Sequence, residues 1–228
     1  MSLLDTIERT TGDSPRFSIL WLHGLGADGN DFAPIVPELV RPGWPALRFV
    51  FPHAPVRPVT VNGGMRMRAW YDLLSIDLGE RREDETGVRE SIAQVEALIE
   101  AEVARGIAPE RIVLAGFSQG AAIALATGLR RQAPLAGLVA LSGYLPLPQA
   151  SLAEATQVGR SLPVFMAHGS QDPVVPEVLG ARSRDALVQA GMQVDWHSYP
   201  MPHSVCGEEV RDLGDWLATR IGVGTRPA

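Results

Sequence analysis

The sequence predicts an α/β fold with a mostly parallel central sheet, helices on both faces and no large cap domain. Short apolar runs alternate with segments of helical periodicity, which is typical of a parallel sheet covered by helices. The chain of 228 residues is 46% hydrophobic and long enough for a substantial core. Because no linker-like stretch interrupts it, we expect one domain over residues 1–228, with residues 222–228 as a loose C-terminal tail.

Individual elements follow from the local pattern of apolar residues. The clearest helix is Val88–Val103, in which apolar residues recur at intervals of three or four and form one face. Further helices are predicted at Ala121–Arg131, Val175–Ala190 and Glu208–Ile221. Apolar runs predict strands at Phe17–Leu22, Leu47–Phe51, Ile112–Ala115, Leu138–Leu141, Val164–Ala167 and Val194–Tyr199.

Residues 52–86 break the alternation of strands and helices. This long excursion is rich in proline and glycine, but it also carries apolar and aromatic side chains that a disordered segment would lack. Loops of this length within a compact domain are usually functional or disordered. We therefore predict that the excursion covers the candidate site and forms one wall of a substrate pocket, with Met65, Trp70 and Leu73 as candidate binding residues.

Composition and charge exclude several classes of protein. The net charge is −6 and no basic run occurs, so we expect no nucleic-acid partner. The single cysteine, Cys206, rules out an internal disulfide, and the histidines are not at metal-ligand spacing, so no metal site is predicted. The first residues lack the basic and apolar regions of a secretory signal, and glycines interrupt the uncharged run 112–129. We therefore expect a cytoplasmic protein without a transmembrane segment.

The most informative motif is Gly116-Phe117-Ser118-Gln119-Gly120, which follows a predicted buried strand and precedes an alanine-rich helix. A G-x-S-x-G sequence in this position predicts a nucleophile elbow, a turn so tight that the residues two before and two after the serine must be small. We therefore predict that Ser118 is a nucleophile, held in a strained conformation with its hydroxyl exposed. The alternative is a chance match in an ordinary loop.

A serine nucleophile needs a base, and in folds with this elbow an acid and then a histidine follow the serine along the chain. Three histidines follow Ser118, namely His168, His197 and His203. His203 lies in a proline-stiffened loop just after the last predicted strand, where the imidazole can swing over the serine. His197 lies within a predicted strand, which fixes its direction, so His203 is the favoured base.

The acid should come from a loop that follows a strand between the serine and the histidine. Asp172 follows the predicted strand Val164–Ala167 and is the favoured acid. Asp195 lies within a predicted strand and Asp185 within a predicted helix, which disfavours both. Taken alone, Asp172 would be read as a helix-capping or turn aspartate. With the serine and histidine in place, it is expected to orient His203 and stabilise its imidazolium form.

The loop after the first strong strand is the candidate oxyanion loop. Gly24 and Gly26 allow its backbone to approach a reacting carbonyl closely. We predict that the backbone N–H groups of Leu25 and Gln119 donate hydrogen bonds to the oxyanion. The same loop matches the dinucleotide-binding pattern G-x-G-x-x-G, but the next strand ends without the carboxylate that this pattern requires, so nucleotide binding is disfavoured.

Taken together, the motifs resemble the phospholipase/carboxylesterase family of α/β-hydrolases. The resemblance rests on Leu22-His23-Gly24-Leu25-Gly26, on the serine motif, on Gly169-Ser170-Gln171-Asp172-Pro173 and on Met201-Pro202-His203. It extends over about residues 17–218. The resemblance implies the α/β-hydrolase fold and hydrolysis of carboxylic acid esters through an acyl-enzyme, with no cofactor.

The same resemblance carries functional roles over to individual residues. Ser118, Asp172 and His203 become the catalytic triad, and Leu25 and Gln119 the backbone donors of the oxyanion hole. The implied substrate is a small ester or acyl compound. Because an acyl-protein thioesterase or a lysophospholipase would use the same triad, both stay open as alternatives. An alternative of another class is a non-catalytic scaffold that binds a ligand, although no triad member is missing. Bacterial members of the family are often dimeric, which leaves a homodimer open.

Overall fold

A seven-stranded sheet forms the framework of the protein. The structure, a computed structural model, describes residues 3–76 and 82–222. The strands in these ranges are β1 (Thr6–Thr10), β2 (Phe17–Leu22), β3 (Leu47–Pro52), β4 (Val56–Val59), β5 (Met65–Arg68), β6 (Leu73–Ser75), β7 (Arg82–Glu83), β8 (Ile112–Phe117), β9 (Gly137–Leu141), β10 (Val164–Gly169) and β11 (Val194–Tyr199). The α-helices are α1 (Val36–Leu39), α2 (Glu85–Ala104), α3 (Gln119–Arg130), α4 (Pro148–Ala153), α5 (Gln157–Arg160), α6 (Glu177–Gln189) and α7 (Gly207–Arg220).

The strands of the main sheet lie in the order β1-β3-β2-β8-β9-β10-β11. Strand β1 pairs antiparallel with β3, and every other neighbouring pair in this sheet is parallel. All six strands predicted from apolar runs are present, which confirms the mostly parallel sheet. Strand β1 was not predicted because its sequence, Thr-Ile-Glu-Arg-Thr, is polar and largely exposed and contains no apolar run.

Both faces of the sheet are covered by helices, as predicted. Along β2, Ile19 and Trp21 point into an apolar cluster with α1 and α7, whereas Leu20 and Leu22 point into a second cluster with α2 and α3. This alternation follows from the two-residue period of a strand. Because both faces are buried, the central strands are apolar at nearly every position.

The helices begin close to their predicted positions. Helix α2 begins at Glu85, three residues before the predicted start, because Asp84 caps it. The Asp84 carboxylate accepts hydrogen bonds from the backbone N–H groups of Thr86 and Gly87 at 3.1 and 3.0 Å. Helix α3 is buried along nearly its whole length beneath the sheet edge that carries Ser118.

The excursion at residues 52–86 is folded in the part that the structure describes. It contains the antiparallel hairpin β4–β5 and the short antiparallel pair β6–β7. Residues 77–81 of the excursion lie outside the described residues, as do residues 223–228 of the predicted C-terminal tail. In the ranges 3–76 and 82–222, no helix has the length and apolar character that crossing a membrane requires.

Candidate active site

The turn between β8 and α3 holds Ser118 in an unusual backbone conformation. Its φ is 55° and its ψ is −118°, and sparsely populated conformations of this kind cost about 1–3 kcal/mol. A Cβ atom at Gly116 would lie 2.3 Å from the carbonyl carbon of Gly120, and one at Gly120 would lie 2.3 Å from the carbonyl oxygen of Leu22. The strand-to-helix turn is therefore as tight as the G-x-S-x-G motif predicts.

Ser118, His203 and Asp172 form one chain of hydrogen bonds. Nε2 of His203 lies 3.0 Å from Oγ of Ser118, and Nδ1 of His203 lies 2.6 Å from Oδ2 of Asp172. A carboxylate oxygen accepts hydrogen bonds, so Nδ1 carries the proton and donates this hydrogen bond to Asp172. Nε2 is then left as an acceptor for the Ser118 hydroxyl, which is the tautomer that a general base requires.

The Asp172 carboxylate is fixed by its own loop. Its side chain is fully buried, and Oδ1 accepts hydrogen bonds from the backbone N–H groups of Val174 and Val175, both at 2.8 Å. These charge-assisted bonds compensate the carboxylate for the loss of water. Because Oδ1 is engaged by the backbone, Oδ2 remains directed at His203.

The loop that carries Asp172 is bonded to the loop that carries His203. The backbone N–H of Ser170 donates to the carbonyl of Tyr199 at 2.8 Å, and that of Gln171 donates to the carbonyl of Met201 at 3.2 Å. A Cβ atom at Gly169 would lie 2.3 Å from the Met201 carbonyl oxygen, so only glycine permits this approach. The chain after β10 and the chain after β11 are thereby held side by side at the same edge of the sheet.

The other two candidate histidines lie elsewhere. His168 is buried and donates from Nε2 to the carbonyl oxygen of Val175 at 2.8 Å, with the same nitrogen 3.6 Å from Oδ2 of Asp172. Burial lowers the pKa of His168, so this ring is neutral and supports the acid loop. His197 lies beside Asp195, with 3.1 Å between Nε2 and Oδ1. Neither ring is hydrogen-bonded to the serine hydroxyl in the described part of the chain.

An aromatic ring packs on the imidazole of His203. The ring centroids of Phe117 and His203 are 4.7 Å apart, with an angle of 45° between the planes. Phe117 also contacts Phe32, which stacks on Trp21, at centroid distances of 5.3 and 5.2 Å. This row of rings connects His203 to the core and restricts its rotation. The sequence alone indicates no role for Phe117 beyond its place beside Ser118 in the motif.

The candidate oxyanion loop lies directly against the serine. A Cβ atom at Gly24 would lie 3.4 Å from Cβ of Ser118. Among the residues that the structure describes, no acceptor pairs with the backbone N–H of Leu25 or with that of Gln119. Two unpaired N–H groups beside a serine hydroxyl are the arrangement that binds a developing negative charge on oxygen.

His23 and the β4–β5 hairpin hold this loop in place. The backbone N–H of Ala54 donates to Nε2 of His23 at 3.0 Å, so Nδ1 carries the proton and donates to the carbonyl of Gly24 at 2.7 Å. Burial lowers the pKa of His23, which keeps the ring neutral and this pattern intact. From the hairpin, the carbonyl of Arg68 accepts a hydrogen bond from the N–H of Gly26 at 2.8 Å.

The Gln119 side chain fastens the excursion to the elbow. Its Oε1 accepts a hydrogen bond from the backbone N–H of Trp70, and its Nε2 donates to the carbonyl of Tyr71, both at 2.8 Å. The indole Nε1 of Trp70 donates to the carbonyl of His23 at 2.9 Å. Only the backbone of Gln119 was assigned a role from the sequence, and no local pattern indicates the contacts of its side chain.

A cavity of about 220 Å³ opens beside Ser118, and we call it the front cavity. Leu73, one of the three predicted binding residues, lines it. Trp70 does not line it and is fully buried, and Met65 is 63% exposed on β5 outside the lining. Besides Ser118, Gln119 and Leu73, the wall includes Leu25, Val61, Tyr71, Ile76, Tyr144 and Val174.

Two further polar features lie outside this centre. A larger recess of about 650 Å³ is lined by β11 and α7 residues that include Asp195 and Asp212.

In the first turn of α7, Glu209 is fully buried, and burial raises its pKa to about 8. The nearby backbone N–H of Cys206 opposes this shift but forms no well-aligned hydrogen bond to the carboxyl oxygens. Within residues 3–76 and 82–222, no group of three or more His, Cys, Asp or Glu side chains is arranged to hold a metal ion.

Known proteins share both the sequence and the fold. The phospholipase/carboxylesterase family model matches residues 9–221. Acyl-protein thioesterase 1 of Mycosarcoma maydis is 42% identical over 235 residues, which covers 95% of this chain and 97% of the relative. The Saccharomyces cerevisiae protein of the same name is 35% identical over 209 residues, which covers 89% of this chain and 92% of the relative.

Solved structures agree with this assignment. SOBER1 of Arabidopsis thaliana superposes with a TM-score of 0.86 at 32% identity, over 90% of this chain and 99% of that one. Acyl-protein thioesterase 2 of Zea mays superposes with a TM-score of 0.84 at 30% identity, over 96% of this chain and 99% of that one. The chain therefore belongs to the phospholipase/carboxylesterase family of α/β-hydrolases and is an enzyme of the hydrolase class.

Proposed function

We propose that this protein is a serine carboxylesterase, in which Ser118 attacks the acyl carbon, His203 transfers protons and Asp172 orients His203. The observation that carries the proposal is the continuous chain from the Ser118 hydroxyl through both ring nitrogens of His203 to the Asp172 carboxylate, at 3.0 and 2.6 Å. Each member also has independent support. Ser118 lies in a strained turn, the His203 ring packs against Phe117, and Asp172 accepts hydrogen bonds from two backbone N–H groups.

In the first half of the reaction, His203 Nε2 removes the proton from Ser118 Oγ as the oxygen forms a bond to the substrate carbonyl carbon. The carbonyl oxygen becomes negatively charged in the tetrahedral intermediate, and the N–H groups of Leu25 and Gln119 bind it. The intermediate then collapses, the bond to the leaving oxygen breaks, and that oxygen takes the proton from Nε2. An acyl-enzyme on Ser118 and a free alcohol result.

In the second half, water takes the place of the alcohol. His203 Nε2 removes a proton from water as its oxygen attacks the acyl carbon, and the proton then returns to Ser118 Oγ as the carboxylic acid departs. Because the imidazolium forms twice, the carboxylate of Asp172 at Nδ1 contributes to both halves. Preorganised oxyanion donors of this kind contribute about 3–4 kcal/mol of barrier reduction each.

A thioester substrate is the second candidate. The relatives that are 35–42% identical carry the name acyl-protein thioesterase 1. The triad chemistry is the same, since a thiolate replaces the alkoxide as leaving group. A mainly apolar front cavity suits the acyl part in either case. Lysophospholipid hydrolysis uses the same acyl transfer and is an outcome of the same substrate comparison.

The test compares hydrolysis of p-nitrophenyl butyrate, an S-butyryl thioester, a palmitoyl-peptide thioester and a lysophospholipid. Ser118→Ala should lower kcat by about 10³-fold or more on whichever substrate is used, without unfolding the protein. Ser14→Ala is a matched control, because Ser14 is an exposed serine with a similar φ of 56°. Near-normal hydrolysis by Ser118→Ala would refute the proposal. A kcat/KM higher for the palmitoyl-peptide than for both butyryl compounds would favour the thioesterase alternative.

Several broader expectations accompany this proposal and remain predictions. They are cytoplasmic localisation, the absence of a nucleic-acid partner and activity without a cofactor, while a homodimer stays open. Size-exclusion chromatography with light scattering measures the oligomeric state, and activity after dialysis against a chelator measures independence from metal.

A further inference from the structure

A second cavity lies next to the front cavity, and Tyr144 lines both. This rear cavity has a volume of about 210 Å³, close to the 220 Å³ of the front cavity. Tyr144 follows β9 and is buried, with 6% of its surface exposed. Tyr144 is therefore a residue that the two cavities share.

A hydrogen bond joins Tyr144 to Tyr71, a second tyrosine that lines the front cavity. The hydroxyl oxygens of Tyr71 and Tyr144 are 2.9 Å apart, and both residues are buried. A buried hydroxyl is stable only when it is hydrogen-bonded, so the pairing favours the conformation in which the rings meet. Both tyrosines line the front cavity, and most of its other lining residues are apolar.

Each tyrosine is also anchored through the backbone around it. The carbonyl of Tyr71 accepts a hydrogen bond from the Gln119 side chain, which ties it to the elbow. The backbone N–H of Leu145, next to Tyr144, donates to Oγ of Ser183 at 2.8 Å, and that hydroxyl donates to the carbonyl of Leu179 in α6. These bonds hold the backbone next to each ring in place.

The rear cavity would suit a hydrocarbon chain. Leu145, Pro148, Leu179 and Ala186 supply an apolar lining. The charged residues Glu83 and Arg182 also border it, and neither is buried. An extended acyl chain reaching this space would be surrounded mainly by carbon atoms, which is the condition for favourable transfer out of water.

We propose that Tyr144 is the residue that limits the length of the acyl chain this enzyme accepts. Its ring ends the front cavity, so the acyl chain of a substrate attached to Ser118 stops at the tyrosine pair. Removal of the ring joins the two cavities and roughly doubles the space available to the chain. The inference rests on the proposed function, since it concerns the acyl group that Ser118 receives.

The experiment measures kcat/KM for p-nitrophenyl butyrate and p-nitrophenyl dodecanoate and takes the ratio of the long to the short ester. In Tyr144→Ala this ratio should rise by about tenfold or more, because several methylene groups gain an apolar surrounding. In Tyr144→Phe the ring remains, and the ratio should stay close to that of the unchanged protein. Circular dichroism spectra report whether each variant is folded, and Tyr144→Val replaces Tyr144→Ala if the latter is not.

A double variant separates joined cavities from general loosening. Ala186→Phe places a ring in the rear cavity, so Tyr144→Ala combined with Ala186→Phe should lose the gain on the long ester. Val188→Phe is the matched control on the same helix, because Val188 is 51% exposed and lines neither cavity. The gain should persist when Tyr144→Ala is combined with Val188→Phe.

Two results would overturn the inference. The ratio could be unchanged in Tyr144→Ala, which would mean that long chains leave the front cavity by another path. Alternatively, the gain could survive Ala186→Phe. Failure of the proposed function is a different result, in which hydrolysis of both esters by the otherwise unchanged protein does not depend on Ser118.

Discussion

The side-chain carbonyl oxygen of Gln119 accepts a hydrogen bond from the backbone N–H of Trp70 at 2.8 Å. The backbone N–H of the same residue lies beside Ser118. Gln119 is therefore part of the elbow, and its side chain also holds the excursion at residues 52–86 against it. Rigid support of this kind keeps catalytic groups within the small tolerance that acyl transfer requires.

Gln119→Leu should therefore reduce both stability and activity. The buried N–H of Trp70 and carbonyl of Tyr71 would each lose a partner, at about 1–3 kcal/mol apiece, so the free energy of unfolding should fall by on the order of 2–6 kcal/mol. Urea denaturation measures this change. Gln189→Leu, at an exposed position on α6, is the control and should stay within about 0.5 kcal/mol. Equal effects of the two substitutions would contradict the role of Gln119.

Asp172→Asn should inactivate the enzyme through the wrong tautomer of His203. The asparagine Oδ1 would stay with the N–H groups of Val174 and Val175, so its NH₂ group would face Nδ1 of His203. Nδ1 would then have to accept, Nε2 would carry the proton, and no acceptor would remain for the Ser118 hydroxyl. We expect kcat to fall on the order of 10³- to 10⁴-fold with little change in KM.

Steady-state kinetics of Asp172→Asn can be compared with Asp185→Asn, which changes an exposed aspartate on α6. A loss confined to KM, or equal losses in the two variants, would refute the orienting role. Circular dichroism spectra should match in all three proteins.

His23→Leu should lower kcat through the oxyanion loop. The substitution removes both hydrogen bonds of the ring, to Ala54 and Gly24, and so frees the segment that carries the Leu25 N–H. Because the donor is displaced and not deleted, we expect a roughly 10- to 100-fold loss, smaller than the about 10²- to 10³-fold loss for a missing donor. Kinetics with a short ester separate kcat from KM, and a change in KM alone would contradict this account.

Glu209 should make stability depend on pH. Burial raises its pKa from 4.5 to about 8, so between these values the folded protein keeps a proton that the unfolded chain releases. The stabilising contribution is therefore complete below about pH 4.5 and is lost as the pH rises through about 8. Melting temperatures of the unchanged protein and of Glu209→Gln should be compared across this range. The advantage of glutamate over glutamine should shrink with rising pH, and a growing advantage would show that the sign is wrong.

The main sheet and the turn at Ser118 could be predicted because each depends on residues that are close together in the sequence. Each main strand except the edge strands β1 and β11 is an apolar run, and the spacing of glycines around Ser118 reports a steric requirement of a single turn. The approach of Asp172 and His203 followed from their positions after successive strands of a parallel sheet. The hairpin β4–β5 and the contacts of Gln119 and Tyr144 depend on chain segments far apart in sequence, and no local periodicity encodes them.

The three predicted binding residues lie in different surroundings for one physical reason. Leu73 lies on the cavity wall, but the direction of Trp70 and Met65 is set by hairpin register and by the bond from Trp70 to His23. Apolar character alone could not separate a side chain that faces the substrate from one that faces the core. The burial of Glu209 could not be predicted from the sequence either, since a glutamate in the first turn of a helix is usually solvated.

The bonds from Ser170 to Tyr199 and from Gln171 to Met201 have a mechanical consequence. Because these bonds join the two segments, we expect the segments that carry Asp172 and His203 to move together. A displacement of these segments would then change their distance from Ser118, while Asp172 and His203 keep their positions relative to each other.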